Sequence, residues 1–209
     1  MIDPAKSELA SYACPFCNQA RLDGVLDETE HFFLLADHAP LIEGHLLIVP
    51  RDHYACYGAV PEELEPELLA LKSRVRRFLS TAYREPVFFE HGVFRQTVYH
   101  AHLHSMPFGT VALDPSAMAL EAGRHADHLR DVRDWYAEQG HYFYLECPAS
   151  NGMHVATLFP PNLDQYFHVL GALRAVTGEL SGWQPQPLRR ITSGGKIRAL
   201  EANWRTFSG

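Results

Sequence analysis

The stretch VYHAHLHSM, residues 98–106, places histidines at 100, 102 and 104. On a helix each step turns the side chain by about 100°, so imidazoles at this spacing would scatter around the axis. On a strand they share one face, roughly 6.6 Å between neighbours and roughly 13 Å end to end. Tyr99, Ala101 and Leu103 then turn to the opposite face. The spacing predicts a strand over about 98–107, closed by Pro107. Three readings fit such a row. A His-x-His pair on a strand can present two ligands to zinc. One neutral imidazole can act as a nucleophile in phosphoryl or nucleotidyl transfer, since its ordinary pKa of about 6.5 leaves it mostly uncharged near neutrality. The third reading is a polar face without chemistry. A metal-dependent oxygenase site would want a carboxylate soon after the pair, and the next acid is Asp114, beyond Pro107 and Gly109.

A second reactive group is Cys14-Pro-Phe-Cys17. A C-x-x-C knuckle supplies two thiolates to a tetrahedral ion and needs two further ligands. Candidates are His53, in VPRDHY, and one of the three alternating histidines. A thioredoxin-like pair would follow a strand and open a helix, and no strand pattern precedes Cys14. The remaining cysteines, Cys56 and Cys147, are far apart in sequence. With no basic, apolar leader at the start, a cytoplasmic, reduced chain is expected rather than a disulfide framework.

These groups need elements to hold them. In 209 residues, 46% are apolar and 21% charged, enough for a folded core and against a disordered chain. A net charge of −7 disfavours broad nucleic-acid binding, and the longest apolar run, HLLIVP, is too short to span a membrane. FFLLA (32–36) and HLLIVP (45–50) read as an antiparallel strand pair turning through Pro40 and Gly44. Over 61–84, Leu64, Leu68, Leu71, Val75, Phe78 and Leu79 recur at helical spacing, with Glu at the start and Arg towards the end. VFFEHG (87–92) reads as a strand leading towards the histidines. Helices are expected over 115–138, broken near Gly123, and over 162–180, with a strand pair at 141–147 and 154–159. The tail is Pro/Gly-rich and then basic.

The segments CPFC, LLADHAPLIEGHLLIVPRDHY, FFEHG and QTVYHAHLHSM occur in this order. Together they resemble the histidine-triad (HIT) superfamily, in particular its zinc-containing branch related to nucleotide hydrolases and galactose-1-phosphate uridylyltransferases. The resemblance covers roughly residues 14–108. It implies an α+β fold, an antiparallel sheet crossed by a helix, with a HIT-like domain over 1–109. Residues 110–209 would form a helical and strand-pair extension packed on it. By the same resemblance His102 is the nucleophile that forms a nucleotidyl-histidine, and His104 holds the phosphate and assists proton handling. His100 joins Cys14, Cys17 and His53 around a structural zinc ion. Asp37 accepts the ribose hydroxyls, Phe16, Leu35 and Leu47 surround the base, and Gln96 and Thr97 lie at the phosphate. His91 stands where relatives often carry Asn, and Ser105 where they prefer an apolar residue. The implied activity is a nucleotide hydrolase or nucleotidyltransferase acting at the α-phosphorus of a phosphoanhydride or phosphoramidate. Dinucleoside polyphosphates, nucleoside phosphoramidates and nucleotide sugars all qualify as substrates. The alternative is a non-catalytic nucleotide- or RNA-binding module of the same fold. Members often dimerise through a sheet edge or helix, which makes a homodimer an expectation here too.

Other stretches carry weaker signals. Ser193-Gly-Gly-Lys196 lacks the first glycine and the hydroxyl residue of a phosphate loop. Arg189, Arg190, Lys196, Arg198 and Arg205 form a basic tail that could reach a polyphosphate or simply face solvent. His125 and His128, expected on a helix beside Asp127 and Asp131, read as an exposed charged face before a metal pair.

Overall fold

A computed structural model describes residues 14–94, 96–109, 123–149, 152–160, 171 and 185–209. The expected helix over 162–180 lies outside these residues apart from Gly171, as does the first part of that over 115–138. The chain builds β1 (Val25–Glu28), β2 (Phe32–Ala36), β3 (Leu46–Pro50), α1 (Glu65–Ala82), β4 (Val87–Glu90) and β5 (Leu103–Met106). It continues through β6 (Arg124–His125), α2 (Leu129–Gln139), β7 (Phe143–Pro148), β8 (His154–Phe159), α3 (Gln186–Thr192) and α4 (Gly194–Ser208). The strands form one antiparallel sheet in the order β1-β2-β3-β5-β4-β7-β8-β6.

β2 and β3 are buried at every position because both faces of the sheet are covered, so they read as continuous apolar runs instead of alternating ones. Phe32, Leu34, Leu46 and Ile48 pack against Leu68, Leu71, Val75, Phe78 and Leu79 of α1. Phe33, Leu35, Leu47 and Val49 form a second cluster with Cys14 and Phe16 on the other face. Further along that face Phe89, Met106, Phe143, Leu145 and Phe159 make a third. Strand alternation thus assigns Leu103 to the helix side and His104 to the opposite, site-bearing side.

The histidine row is not one strand. Only Leu103–Met106 pairs in the sheet; residues 98–100 run as bends, and 101–102 belong to no regular element. The ladder with β3 stops at the pair Ile48–Leu103, although β3 itself continues to Pro50. The Ala101 amide donates to Tyr54 O at 2.7 Å, outside the ladder, and His100 N–H donates to Val98 O at 2.9 Å. Two other expectations change. His125 lies on β6 and His128 caps α2, so they do not share a helix. The basic tail is helical, as α3 and α4.

Candidate functional site

The site grows from hydrogen bonds that fix which nitrogen of each ring carries the proton. His102 Nδ1 lies 2.6 Å from the carbonyl oxygen of His100. A carbonyl only accepts, so Nδ1 carries the hydrogen and, in the neutral ring, Nε2 keeps its lone pair. The backbone N–H of Leu41 donates to His45 Nδ1 at 3.3 Å. His45 therefore donates through Nε2, and its partner is His104 Nδ1 at 2.9 Å. His104 in turn is left with its hydrogen on Nε2. One ring presents a lone pair and its neighbour presents a donor, with ring centroids 4.9 Å apart.

Burial keeps these rings neutral. It is the foremost cause lowering the pKa of His45, His102 and His104, the last of them well below its ordinary value. Burial likewise brings His91 down to about 4, with help from His102. Phe89 stacks on His104 with centroids 4.4 Å apart, and His91 stands edge-on to His104 at 5.9 Å. His91 is held by a tight turn. A side chain on Gly92, at φ 51°, would come within 2.5 Å of Tyr142 O, and Val93 follows at φ 67°. A left-handed β-branched residue is a costly conformation.

The other residues singled out in the sequence fall at differing distances. Phe16 lies 5.5 Å from the His100 ring and 5.8 Å from that of His102, and with Leu35 and Leu47 it forms one apolar wall. Asp37 accepts the Ala39 amide at 2.6 Å on Oδ1 and turns Oδ2 to His45 Nε2 at 3.6 Å. Gln96 is buried with both amide atoms unpartnered among the described residues. Thr97 is exposed and is not gathered with the imidazoles. Residue type and spacing do not single out His45. Its one sequence signal is a polar residue opening the apolar run HLLIVP.

A separate group lies beside the first. Cys14, Cys17, His53 and His100 hold their ligand atoms within 4.8 Å of one another. Cys14 Sγ is 3.4 Å and Cys17 Sγ 3.6 Å from His100 Nδ1, and Cys17 Sγ is 3.2 Å from His53 Nδ1. Zinc–sulfur and zinc–nitrogen bonds at a tetrahedral angle put sulfur and nitrogen about 3.5 Å apart, so these separations match the edges of one coordination tetrahedron. His100 Nε2 donates to Pro50 O at 2.8 Å, which leaves Nδ1 as the lone-pair atom facing the sulfurs. Burial and Cys14 push the Cys17 thiol up to about 12, a cost that a bound cation would reverse. Asp37, His45 and His104 also cluster at ligand distances, but the Leu41 donation to His45 Nδ1 commits its Nε2 to the bond with His104.

An antiparallel sheet that displays neutral, oriented imidazoles beside a closed Cys/His group defines a class of protein. The model of the HIT domain matches residues 21–110. An uncharacterised 16.1 kDa HIT-like protein of Mycoplasma pneumoniae is 30% identical over 111 residues, covering 49% of this chain and 76% of that protein. An adenosine 5'-monophosphoramidase of Saccharomyces cerevisiae is 25% identical over 107 residues, covering 51% of this chain and 68% of its own length. The crystal structure of a HIT family protein from Bacillus anthracis superposes with a TM-score of 0.43 at 22% identity, covering 47% of this chain and 75% of that one. The chain belongs to the HIT superfamily. Among the described residues no helix is long and apolar enough to cross a membrane.

Proposed function

We propose that this protein is a nucleotide hydrolase or nucleotidyltransferase that works through a covalent nucleotidyl-His102 intermediate. The observation that carries this reading is the bond from His102 Nδ1–H to His100 O, which leaves an uncharged Nε2 lone pair beside the His104 donor. Nε2 attacks the α-phosphorus in line. A phosphorus–nitrogen bond forms, the bond to the leaving group breaks, and that group departs with the electron pair and takes a proton from solvent. Water then attacks the same phosphorus from the vacated side, releases nucleoside monophosphate and restores the imidazole. Two displacements by good nucleophiles replace one by a poor one. His104 Nε2–H and the buried amide of Gln96 supply donors for the phosphoryl oxygens. Asp37 orients the ribose, and Phe16, Leu35 and Leu47 flank the base. A zinc ion held by Cys14, Cys17, His53 and His100 would be structural, because all four positions are protein ligands and none is left for water. Free cysteines agree with a cytoplasmic setting. The activity in the yeast relative's name supports a phosphoramidate as one test substrate.

The test is incubation with labelled adenosine 5'-phosphoramidate and a labelled dinucleoside polyphosphate, followed by a rapid quench. Acid-labile label on the wild-type chain, absent from His102→Ala, is expected, with turnover in that variant down by about 10⁴-fold or more. Tight nucleotide binding with neither label nor product would instead make the chain a recognition module.

A further inference from the structure

The HIT match ends at residue 110, yet the support of the site beyond His104 comes from residues past that point. α2 stops at Gly140, whose left-handed φ of 73° suits a residue without Cβ. Trp135 Nε1 then donates to His141 O at 3.0 Å and fixes the exit of the chain. This turn delivers Tyr142, fully buried on the α1 side of the sheet. The Tyr142 hydroxyl donates to Glu90 Oε2 and accepts the Gly58 N–H at 2.9 Å. Its backbone N–H donates to Gly92 O at 3.3 Å, and its backbone bridges that of Val93. Glu90 and Gly92 are the residues on either side of His91. Phe143 turns to the other face, meets the His91 ring edge-on at 6.0 Å and stacks on Phe89 at 6.1 Å.

The turn after His91 needs such support. Gly92 and Val93 lie at φ 51° and 67°, and for a β-branched residue that backbone persists only where its surroundings over-determine it. Tyr142 grips the turn from both ends, at Glu90 and at Gly92–Val93. Glu90 Oε1 also accepts the Tyr57 N–H at 2.9 Å, and the Tyr57 hydroxyl donates to Ile48 O at 2.9 Å, opposite Leu103. The bonds therefore close a loop around β3, β5 and β4, the strands that carry the site. On the site face His104 has three neighbours: His45 at 2.9 Å, the stacked Phe89 at 4.4 Å and His91 edge-on at 5.9 Å. Two of the three, Phe89 and His91, rest on Phe143 or on the turn that Tyr142 holds. We infer that Tyr142, together with Phe143, is a positioning residue for the reaction at His102, acting through the turn and His91 to hold the His104 ring. Buried behind the sheet, Tyr142 touches no substrate. Misplacing a reacting group by about 1 Å costs on the order of 100-fold in rate, so loss of this hold lowers turnover before it lowers binding. This rests on the nucleotide reading of the site.

The experiment is steady-state hydrolysis of adenosine 5'-phosphoramidate and a dinucleoside polyphosphate by the full chain, well below its melting temperature. Wild type is compared with Tyr142→Phe, His91→Ala, their double variant, Phe143→Leu and Tyr144→Phe. Tyr144 is the control, because its hydroxyl is bonded on the same strand to Glu146 and not to Glu90. Tyr142→Phe should lower kcat by about 10-fold and leave KM within about 3-fold, and Phe143→Leu should act in the same direction. Tyr144→Phe should melt lower yet keep kcat within about 2-fold. In the His91→Ala background Tyr142→Phe should change kcat by less than about 2-fold more, because the two act as one unit. Unchanged kcat in Tyr142→Phe overturns the inference. So does a loss of the same size in Tyr144→Phe, or in the His91→Ala background. A second readout needs no turnover: in histidine-labelled chain the ring resonances of His91 and His104 should shift in Tyr142→Phe and stay in Tyr144→Phe. Rings that stay put in Tyr142→Phe sink this inference whatever the turnover. A wild type that hydrolyses neither substrate sinks the nucleotide reading instead.

Discussion

At the scale of single residues, one hydrogen bond each decides what His100, His102 and His104 can do. Their carbonyl and imidazole partners differ, so three identical side chains become a lone pair facing the Cys14 and Cys17 sulfurs, a second lone pair on His102 Nε2 and a donor on His104 Nε2. If the Cys/His group binds zinc as proposed, elemental analysis should find one zinc per chain. Cys17→Ser should lose it and melt several degrees lower, because metal affinity adds to folding free energy. Retention of stoichiometric metal by Cys17→Ser would contradict the assignment. Glu90 offers a test of another kind. Its carboxylate accepts from Tyr57 N–H at 2.9 Å and from the Tyr142 hydroxyl. Burial outweighs those bonds and raises its pKa from 4.5 to about 7. A raised acid stabilises the fold fully below pH 4.5 and loses that contribution as pH climbs through 7. Wild type should therefore melt progressively lower between pH 4.5 and 7, by an amount worth up to about 3 kcal/mol. Glu90→Gln should flatten that slope in thermal scans, and an equally steep slope in the variant would show that another group titrates.

At the scale of elements, β5 carries a contradiction that can be relieved. Ser105 is fully buried opposite Leu46 and Phe88, and its hydroxyl has no partner among the described residues. Leaving a hydroxyl unpaired costs roughly 1–3 kcal/mol, so Ser105→Ala should stabilise by about 1 kcal/mol in urea titrations; a loss of stability would reveal a hidden partner. β5 also shows how far the sequence could be read. β2, β3, α1 and β8 declare themselves through apolar runs or helical spacing. The face shared by His102 and His104 followed from alternation alone. The departure of residues 98–102 from the ladder did not, because the Ala101 amide is taken up by Tyr54 O, far away in sequence. β1 leaves no signal in the sequence because VLDE is half exposed and has no clear period. α4 leaves none because it opens on Gly194-Gly195, poor helix formers, and is held by Trp204 against Phe78. The Cys14/Cys17 knuckle and its imidazole partners were legible from residue type. His45, a lone histidine in an apolar run, was not, and neither was the contact of Arg189 with Ala39 across 150 residues of sequence.

At the scale of the whole molecule, β7 and β8 extend the sheet next to β4 and carry Phe143, which stands edge-on to His91 at 6.0 Å. Their attachment to α1 runs through charges. Lys72 on α1 pairs with Glu146 on β7, and His154 on β8 lies 3.3 Å from Glu146 and 2.9 Å from Glu85. Glu85 in turn pairs with Arg76 at 2.5 Å. Burial alone would raise the Glu146 carboxyl, but Lys72, His154 and the Tyr144 hydroxyl overrule it and hold the pKa at about 2. A depressed acid stabilises the fold above its unfolded value of 4.5 and loses that contribution as pH falls through 2. The magnitude is about 3 kcal/mol, so acid unfolding should begin below pH 4.5 with these strands. Lys72→Met strips the carboxylate of its ammonium partner and should cost about 3–5 kcal/mol. Replacing both, as Lys72→Met with Glu146→Leu, removes the stranded charge and should recover most of that loss. The cycle closed with Glu146→Leu alone should give a coupling at least as large as the loss that the double variant recovers. If the pair fastens the strands behind His91, the Lys72→Met chain should also show faster amide exchange in β7 and β8 than in β2 and β3. Equal exchange in both regions would mean that the charges stabilise the molecule globally and fasten nothing in particular.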